Sequence, residues 1–297
     1  MYGFLYYLAE VEMKMEIEIF KDTVDDFKAN ENIDCIGITF IDENVNEFKV
    51  YRYEKRKQDN ADITKFVTAN SENTDRKYFR IVPRKMLNYL KVAEDFIEEN
   101  KMNGTIKNIM YDICCIAYEK KNQTRIRLSQ LGIQNLNCGE KIIKSYFSIR
   151  RFLSEEDVLG EKQTFSEIED IFQEIQKICK LSTNYVYTTT ILSDALERQG
   201  YYPSLIGINQ KKDKTEFKLY FELFSPDSFF SSIKKHSTMT IDYICDQYNI
   251  PKEKYYDVNK KFCENEYFLR GVAISNNYGE DYPIVLRMYY APTYRFI

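Results

Sequence analysis

A lysine or arginine followed two residues later by a tyrosine recurs in four stretches of the chain. The stretches are FKVY at 48–51, IKSY at 143–146, FKLY at 217–220 and LRMY at 286–289. Residues i and i+2 of a β-strand lie on the same face, so each stretch predicts a strand that carries a cation and a tyrosine side by side. Clustered cations cost free energy unless an anion compensates them, and tyrosine rings attract cations. The pattern therefore indicates a site for a ligand with a strongly anionic part.

Each of the four stretches lies near the end of a longer, repeated segment. The segments cover 35–55, 125–152, 204–224 and 269–292, and each contains a glycine followed by Ile or Val and then a polar turn. Two strands joined by a polar turn predict a β-hairpin. A fifth hairpin over 62–83 is weaker in pattern. The spacing from glycine to cation is 12, 12, 11 and 16 residues: Gly37 to Lys49, Gly132 to Lys144, Gly207 to Lys218 and Gly271 to Arg287.

Stretches with helical periodicity alternate with these hairpins. They are 11–29, 84–99, 106–120, 165–180, 190–199 and 231–248. The helices would cover the apolar face of each second strand, and strands that close on themselves leave no exposed sheet edge. We therefore predict an α+β fold with a single domain over 1–297. In it, repeated αββα units build a closed antiparallel barrel of eight to ten strands, surrounded by helices, with the cations and tyrosines facing its interior.

Composition narrows the class of protein. The 297 residues carry a formal net charge of −4, which argues against a general nucleic-acid binder. No run of 18 apolar residues is present, and the first residues lack the basic start of a signal peptide. The seven cysteines include no CxxC pair and no cluster with histidine. We expect a cytoplasmic protein with reduced thiols, no protein-built metal site, and neither a membrane nor a nucleic-acid partner.

The recurring cations predict a diphosphate site, because no comparable number of acids is evident on the same faces. The tyrosines would form a second ring beside it that stabilises an allylic carbocation and excludes water. The candidate diphosphate ligands are Lys49, Arg125, Arg127, Lys144, Lys218 and Arg287. The candidate carbocation shield is Tyr51, Tyr146, Tyr220 and Tyr289.

These stretches, together with RIRLS at 125–129, resemble the ABBA prenyltransferases, hairpin by hairpin from about 33 to 297. Among them, KTEFKLYFELFSPDSFF and the terminal IVLRMYYAPTYRFI are similar to the peptide prenyltransferases of cyanobactin-type ribosomal peptide pathways. The resemblance implies transfer of a dimethylallyl or geranyl group from an allylic diphosphate to a nucleophilic side chain or terminus of a ribosomally made, macrocyclic peptide. It also implies Mg²⁺ bound mainly through the diphosphate. The family places an acid on the first strand as acceptor anchor and base; Asp34 is the nearest candidate here.

Three other interpretations stay open at this point. The acceptor could be a small indole or phenol in place of a peptide. The barrel could be a non-enzymatic module that binds a nucleotide or a single strand by stacking bases on tyrosines. The repeat could also be a structural scaffold, in which case the cations and tyrosines would face solvent.

Overall fold

A computed structural model describes residues 35–41, 44–52, 63–70, 76–81, 88–101, 104–119, 124–135, 139–152, 161–211, 214–223, 267–277 and 280–292, with positions 242 and 246. These residues form ten strands and four helices. The strands are β1 Cys35–Ile41, β2 Asn44–Arg52, β3 Ile63–Asn70, β4 Arg76–Ile81, β5 Thr124–Asn135, β6 Lys141–Phe152, β7 Tyr201–Lys211, β8 Lys214–Leu223, β9 Tyr267–Asn277 and β10 Glu280–Pro292. The helices are α1 Asn88–Glu99, α2 Gly104–Glu119, α3 Phe165–Cys179 and α4 Thr183–Arg198.

The ten strands form one antiparallel sheet in which each strand pairs with its neighbours in the chain. β1 pairs with β2 on one side and with β10 on the other, so the hydrogen-bonded strand order closes on itself. The antiparallel α+β architecture and the four hairpins predicted from the alternating pattern are confirmed. The weaker fifth hairpin is present as well, since β3 pairs with β4 from Ile63 opposite Ile81 onward.

The helices differ from the sequence prediction mainly at α4. It begins at Thr183, seven residues before the predicted start at 190. Ser182 caps it, because its hydroxyl accepts a hydrogen bond from the Tyr185 amide over 3.1 Å. The threonines at 188–190 have a weak helix propensity, which hid the first turns in the sequence. The predicted helix at 11–29 lies outside the described residues, as does 231–248 except for the helical positions 242 and 246.

The hydrophobic core lies between the helices and one face of the sheet. On β8, Phe217, Leu219 and Phe221 are fully buried on that face. The rings of Phe172 in α3 and Tyr185 in α4 meet Phe217 edge to face, with centroids 5.8 and 5.9 Å away. Such pairs add about 0.5–1.5 kcal/mol to the burial of the rings themselves. The helices thus cover this face of β8, and the alternate residues of the strand are turned away from them.

None of the helices in the described part of the chain has the length and apolar character needed to cross a membrane.

Candidate functional site

The face of β8 that is turned away from the helices carries a buried group of charges. Lys218 Nζ lies 3.0 Å from Glu216 Oε2, and Arg287 Nη2 donates to Glu216 Oε1 over 2.7 Å. Lys144 is 5% exposed and close enough to Lys218 to act on it electrostatically. Three of the predicted diphosphate ligands therefore meet in one place. We call Lys144, Lys218, Arg287 and Glu216 the charged cluster.

Glu216 is the member of this cluster that sequence reasoning missed. It is 2% exposed, and its carboxylate also accepts hydrogen bonds from Asn209 Nδ2 over 2.7 Å and from Ser275 Oγ over 3.2 Å. This acid was not predicted from the sequence, although the cations of the cluster still outnumber it. The signal was present in the sequence, because Glu216 stands two residues before Lys218 and alternation places both on one face.

The charges in the cluster shift each other's protonation. Burial, together with Arg287 and Lys144, lowers the pKa of Lys218 to about 7, although Glu216 opposes the shift. Burial alone would raise the pKa of Glu216, but Arg287 and Lys218 outweigh it and lower that pKa to about 2. Glu216 is therefore ionised at neutral pH, and the pKa of Lys218 lies close to neutral pH. A group with these properties responds strongly to an incoming anion.

Three of the predicted shield tyrosines are in contact beside the charged cluster. The ring centroids of Tyr146 and Tyr220 are 6.2 Å apart at an interplanar angle of 63°, and those of Tyr220 and Tyr289 are 5.7 Å apart at 38°. We call these three residues the tyrosine cluster. Tyr220 follows Lys218 by two residues on the same strand face, so the two clusters are adjacent, with about 7 Å between the Cα atoms of these two residues.

The repeated glycines lie in the sheet next to these tyrosines. Gly207 pairs with Tyr146 on one side and with Lys218 on the other. A Cβ at Gly207 would lie 3.0 Å from ring carbons of both Tyr146 and Tyr220. The glycine therefore leaves the space that the two rings occupy. The same relation holds in backbone register for Gly132, between Tyr78 and Lys144, and for Gly37, between Tyr289 and Lys49.

A β-bulge accompanies each of the three clustered tyrosines. Ser129 is the extra residue opposite Tyr146, and its hydroxyl donates to the Tyr146 carbonyl over 3.1 Å. Ser204 donates to the Tyr220 carbonyl in the same way over 3.4 Å. Bulges bend a strand and redirect its side chains. These bulges fix the backbone on which the tyrosine rings are carried.

A partly exposed group of charges follows the tyrosine cluster along β8. Glu222 lies two residues beyond Tyr220, with Arg150 Nη2 at 3.6 Å and Arg270 Nη2 at 3.8 Å from its carboxylate oxygens. Arg270 is the bulge residue opposite Tyr289 and Tyr290. These longer, more exposed contacts contrast with the tight, buried pairs of the charged cluster. Charged cluster, tyrosine cluster and this outer group thus succeed one another along one strand face.

The remaining predicted site residues lie elsewhere in the sheet or outside the described residues. Arg127 is 4% exposed and pairs in register with Ser148, which is four residues along β6 from Lys144. Lys49 and Tyr51 lie on β2, where they pair with Asn70 and Thr68 of β3. Only the backbone is described for these two residues and for Arg125. Asp34 lies outside the described residues, so its role stays a prediction.

Within the described part of the chain, no group of three His, Cys, Asp or Glu side chains could hold a metal ion. The buried carboxylate of Glu216 already accepts from an ammonium and a guanidinium. This donor set suits an anion, and binding of Mg²⁺ through a diphosphate stays a prediction.

Solved structures of prenyltransferases share the fold of this chain. AnaPT from Neosartorya fischeri is similar with a TM-score of 0.58 and 9% identity, over 87% of this chain and 77% of that chain. The 6-dimethylallyltryptophan synthase from Micromonospora olivasterospora, solved with DMASPP and Trp, gives a TM-score of 0.57 and 6% identity over 86% and 81%. PriB, solved with product diphosphate, gives 0.54 and 6% over 88% and 80%. Neither a protein-family model nor a curated protein matches the sequence.

At these identities the likeness shows the fold alone. The chain has the fold of the ABBA prenyltransferases, as the resemblance of its Lys-x-Tyr hairpins implied. The narrower placement among cyanobactin-type enzymes stays a prediction.

Proposed function

We propose that this protein transfers a prenyl group from an allylic diphosphate to a nucleophilic acceptor. The observation that carries the proposal is the adjacency of the charged cluster and the tyrosine cluster on one buried strand face. An allylic diphosphate needs both: donors for the anionic leaving group, and π-faces for the cation that forms beside it. The shared fold supports the same proposal.

The chemistry follows from the order of the groups along β8. Lys144, Lys218 and Arg287 bind the diphosphate oxygens by charge-assisted hydrogen bonds. The bond between the allylic carbon and oxygen breaks, and its electron pair leaves with the diphosphate. The allylic cation then faces the rings of the tyrosine cluster, which stabilise it and keep water away. An acceptor nucleophile forms the new bond to the allylic carbon and gives its proton to a base.

We propose a dimethylallyl or geranyl donor and a ribosomally made, macrocyclic peptide as the acceptor, on the resemblance of the β8 and C-terminal stretches to peptide prenyltransferases. Asp34 stays our proposed base. The partly exposed group of Arg150, Glu222 and Arg270 supports a polar acceptor that approaches from the tyrosine side.

A free aromatic acceptor is the second candidate. One structural neighbour is a 6-dimethylallyltryptophan synthase solved with Trp. An indole offers the electron-rich carbon that an allylic cation attacks, so tryptophan belongs among the acceptors tested.

Mg²⁺ fits the site as a partner of the diphosphate. When bound there it would neutralise charge on the departing group. The protein's own part, described above, is to hold the diphosphate through three cations and to screen the allylic carbon with three tyrosines.

The experiment is a transfer assay with dimethylallyl and geranyl diphosphate, each with L-tryptophan, L-tyrosine, and linear and macrocyclic peptides that contain them, read by mass spectrometry. The proposal expects one donor to give a prenylated product with at least one acceptor class. Binding of pyrophosphate without any prenyl transfer or donor hydrolysis would favour a non-catalytic binding module. A peptide product with no product from free amino acids would favour the peptide acceptor over the aromatic one.

A further inference from the structure

Glu216 is buried in the place where the proposed diphosphate must bind. Its carboxylate accepts from Lys218, Arg287, Asn209 and Ser275, so it satisfies the cations while no ligand is present. Arg287 in turn also donates to Ser275. A buried carboxylate is costly unless it has such partners, and here it has four. Glu216 therefore acts in the empty protein as the anion that the cations require.

The charges of the cluster do not cancel. Lys144, Lys218 and Arg287 contribute three positive charges when protonated, and Glu216 contributes one negative charge. A diphosphate is a polyanion, and its oxygens must approach the same ammonium and guanidinium groups that Glu216 already contacts. A phosphate oxygen held by Lys218 Nζ at about 2.8 Å would lie within about 6 Å of the Glu216 carboxylate.

We propose that Glu216 is a built-in counter-anion that lowers the affinity of the charged cluster for diphosphate and so permits the diphosphate to leave after prenyl transfer. The inference rests on the proposed function. It concerns a positioning residue: Glu216 orients Lys218 and Arg287, and its charge repels a phosphate that these two cations bind.

The expected change in diphosphate affinity follows from the distance between the Glu216 carboxylate and the bound phosphate. Two unit charges about 6 Å apart, at an effective dielectric constant of about 20, repel strongly enough to change a binding constant on the order of a hundredfold. Removal of Glu216 would also loosen the orientation of Lys218 and Arg287, and this would weaken diphosphate binding. Glu216→Gln separates the two effects, because the amide keeps the shape and an acceptor oxygen for Arg287 while it removes the charge. Since Glu216 also holds the pKa of Lys218 up, the comparison is repeated with Lys218→Arg in both proteins, where the cation stays charged.

The test measures binding of inorganic pyrophosphate, without Mg²⁺ and with it, by calorimetry at pH 6.5. We expect Glu216→Gln to bind at least tenfold more tightly than the wild type and Glu216→Asp, which keeps the charge, to bind like it. Ser275→Ala removes one hydrogen bond to Glu216 without a change in charge and should not tighten binding. Glu222→Gln removes a charge from the same strand face, six residues away, and is the control for charge at a distance.

The outcomes are distinguishable. Wild-type protein that binds no pyrophosphate would overturn the proposed function itself. Wild-type binding with unchanged or weaker binding in folded Glu216→Gln would overturn the inference alone. Equal tightening in Glu222→Gln would also overturn it, because the effect would then be one of net charge. Should Glu216→Gln fail to fold, Ser275→Asp tests the inference in reverse: a second carboxylate beside Arg287 should weaken pyrophosphate binding at least tenfold.

Discussion

Arg287 and Glu216 lie 71 residues apart in the chain, yet the guanidinium donates to the carboxylate over 2.7 Å. β9 lies between their strands in the sheet, and the hydroxyl of Ser275 on β9 donates to Glu216. The charged cluster thus depends on the pairing of β8, β9 and β10. A fold that lost this pairing would lose the anion site with it.

Replacement of either buried lysine should weaken diphosphate binding. A hydrogen bond to a charged group is worth about 1.5–3 kcal/mol, so we expect Lys144→Ala and Lys218→Ala each to weaken pyrophosphate binding about 10- to 100-fold at pH 6.5. Lys141→Ala is the matched control, because Lys141 lies on the same strand as Lys144 and is exposed. Calorimetry gives the binding constants. Unchanged binding in both buried variants would place the anion elsewhere.

Removal of a clustered ring should let water reach the allylic cation. Tyr220 contacts both Tyr146 and Tyr289, so Tyr220→Ala should raise the ratio of donor hydrolysis to prenyl transfer severalfold. Tyr220→Phe keeps the π-face and should stay near the wild-type ratio. Tyr187→Ala, at a residue that is 68% exposed, is the control. A hydrolysis ratio that does not change in Tyr220→Ala would refute the shield.

Gly207→Ala should disturb the packing of the tyrosine cluster. The added Cβ would lie 3.0 Å from ring carbons of Tyr146 and Tyr220, so the rings must shift. Overpacking of this kind costs about 1–3 kcal/mol of unfolding free energy, and we expect hydrolysis to rise as the rings separate. Gly104→Ala, where nothing lies within 4 Å of the added methyl, should be neutral or slightly stabilising. Denaturant unfolding of both variants tests this, and equal stability would contradict the packing argument.

Diphosphate binding should weaken as the pH rises above about 7. The pKa of Lys218 is lowered to about 7, so the ammonium that must donate to the anion is lost above that pH. Affinity should then fall by up to tenfold per pH unit, since one proton is bound with the ligand. Lys218→Arg stays charged and should show a smaller dependence, and the comparison removes the titration of the ligand itself. Parallel pH profiles for the two proteins would show that Lys218 does not titrate in this range.

The same shift has a consequence for stability without ligand. The folded pKa of Lys218 lies below the ordinary lysine value, so the unfolded chain binds more protons between about pH 7 and pH 10. The free energy of unfolding should therefore rise with pH through this window, because burial of a neutral Lys218 costs less than burial of a charged one. Lys218→Met should flatten that part of the stability profile.

Much of the fold follows from local patterns in the sequence. Alternation at Phe217, Lys218, Leu219 and Tyr220 predicts a strand and its two faces, and the glycine repeat with its polar turn predicts the β7–β8 hairpin that the structure shows. The start of α4 was hidden because its first turns depend on the Ser182 cap and on burial of Tyr185, which threonine-rich sequence does not reveal.

The candidate site was predictable only in part. The cations and tyrosines were found because they repeat. Glu216 does not repeat in all hairpins, and its role depends on contacts with Asn209 and Ser275 from two other strands. The bulges at Ser129 and Ser204 were likewise invisible, because a single extra residue in a strand leaves no distinctive composition.

The most direct test of the account is thermal unfolding with dimethylallyl thiodiphosphate, geranyl thiodiphosphate or pyrophosphate at fixed ionic strength and pH 6.5, with Mg²⁺ present. A ligand that binds only the folded protein raises the unfolding midpoint. We predict that one thiodiphosphate raises the midpoint more than pyrophosphate does, and that a Lys144→Ala, Lys218→Ala double variant loses most of this shift. No shift with any of the three ligands, at concentrations that saturate known diphosphate sites, would contradict the account.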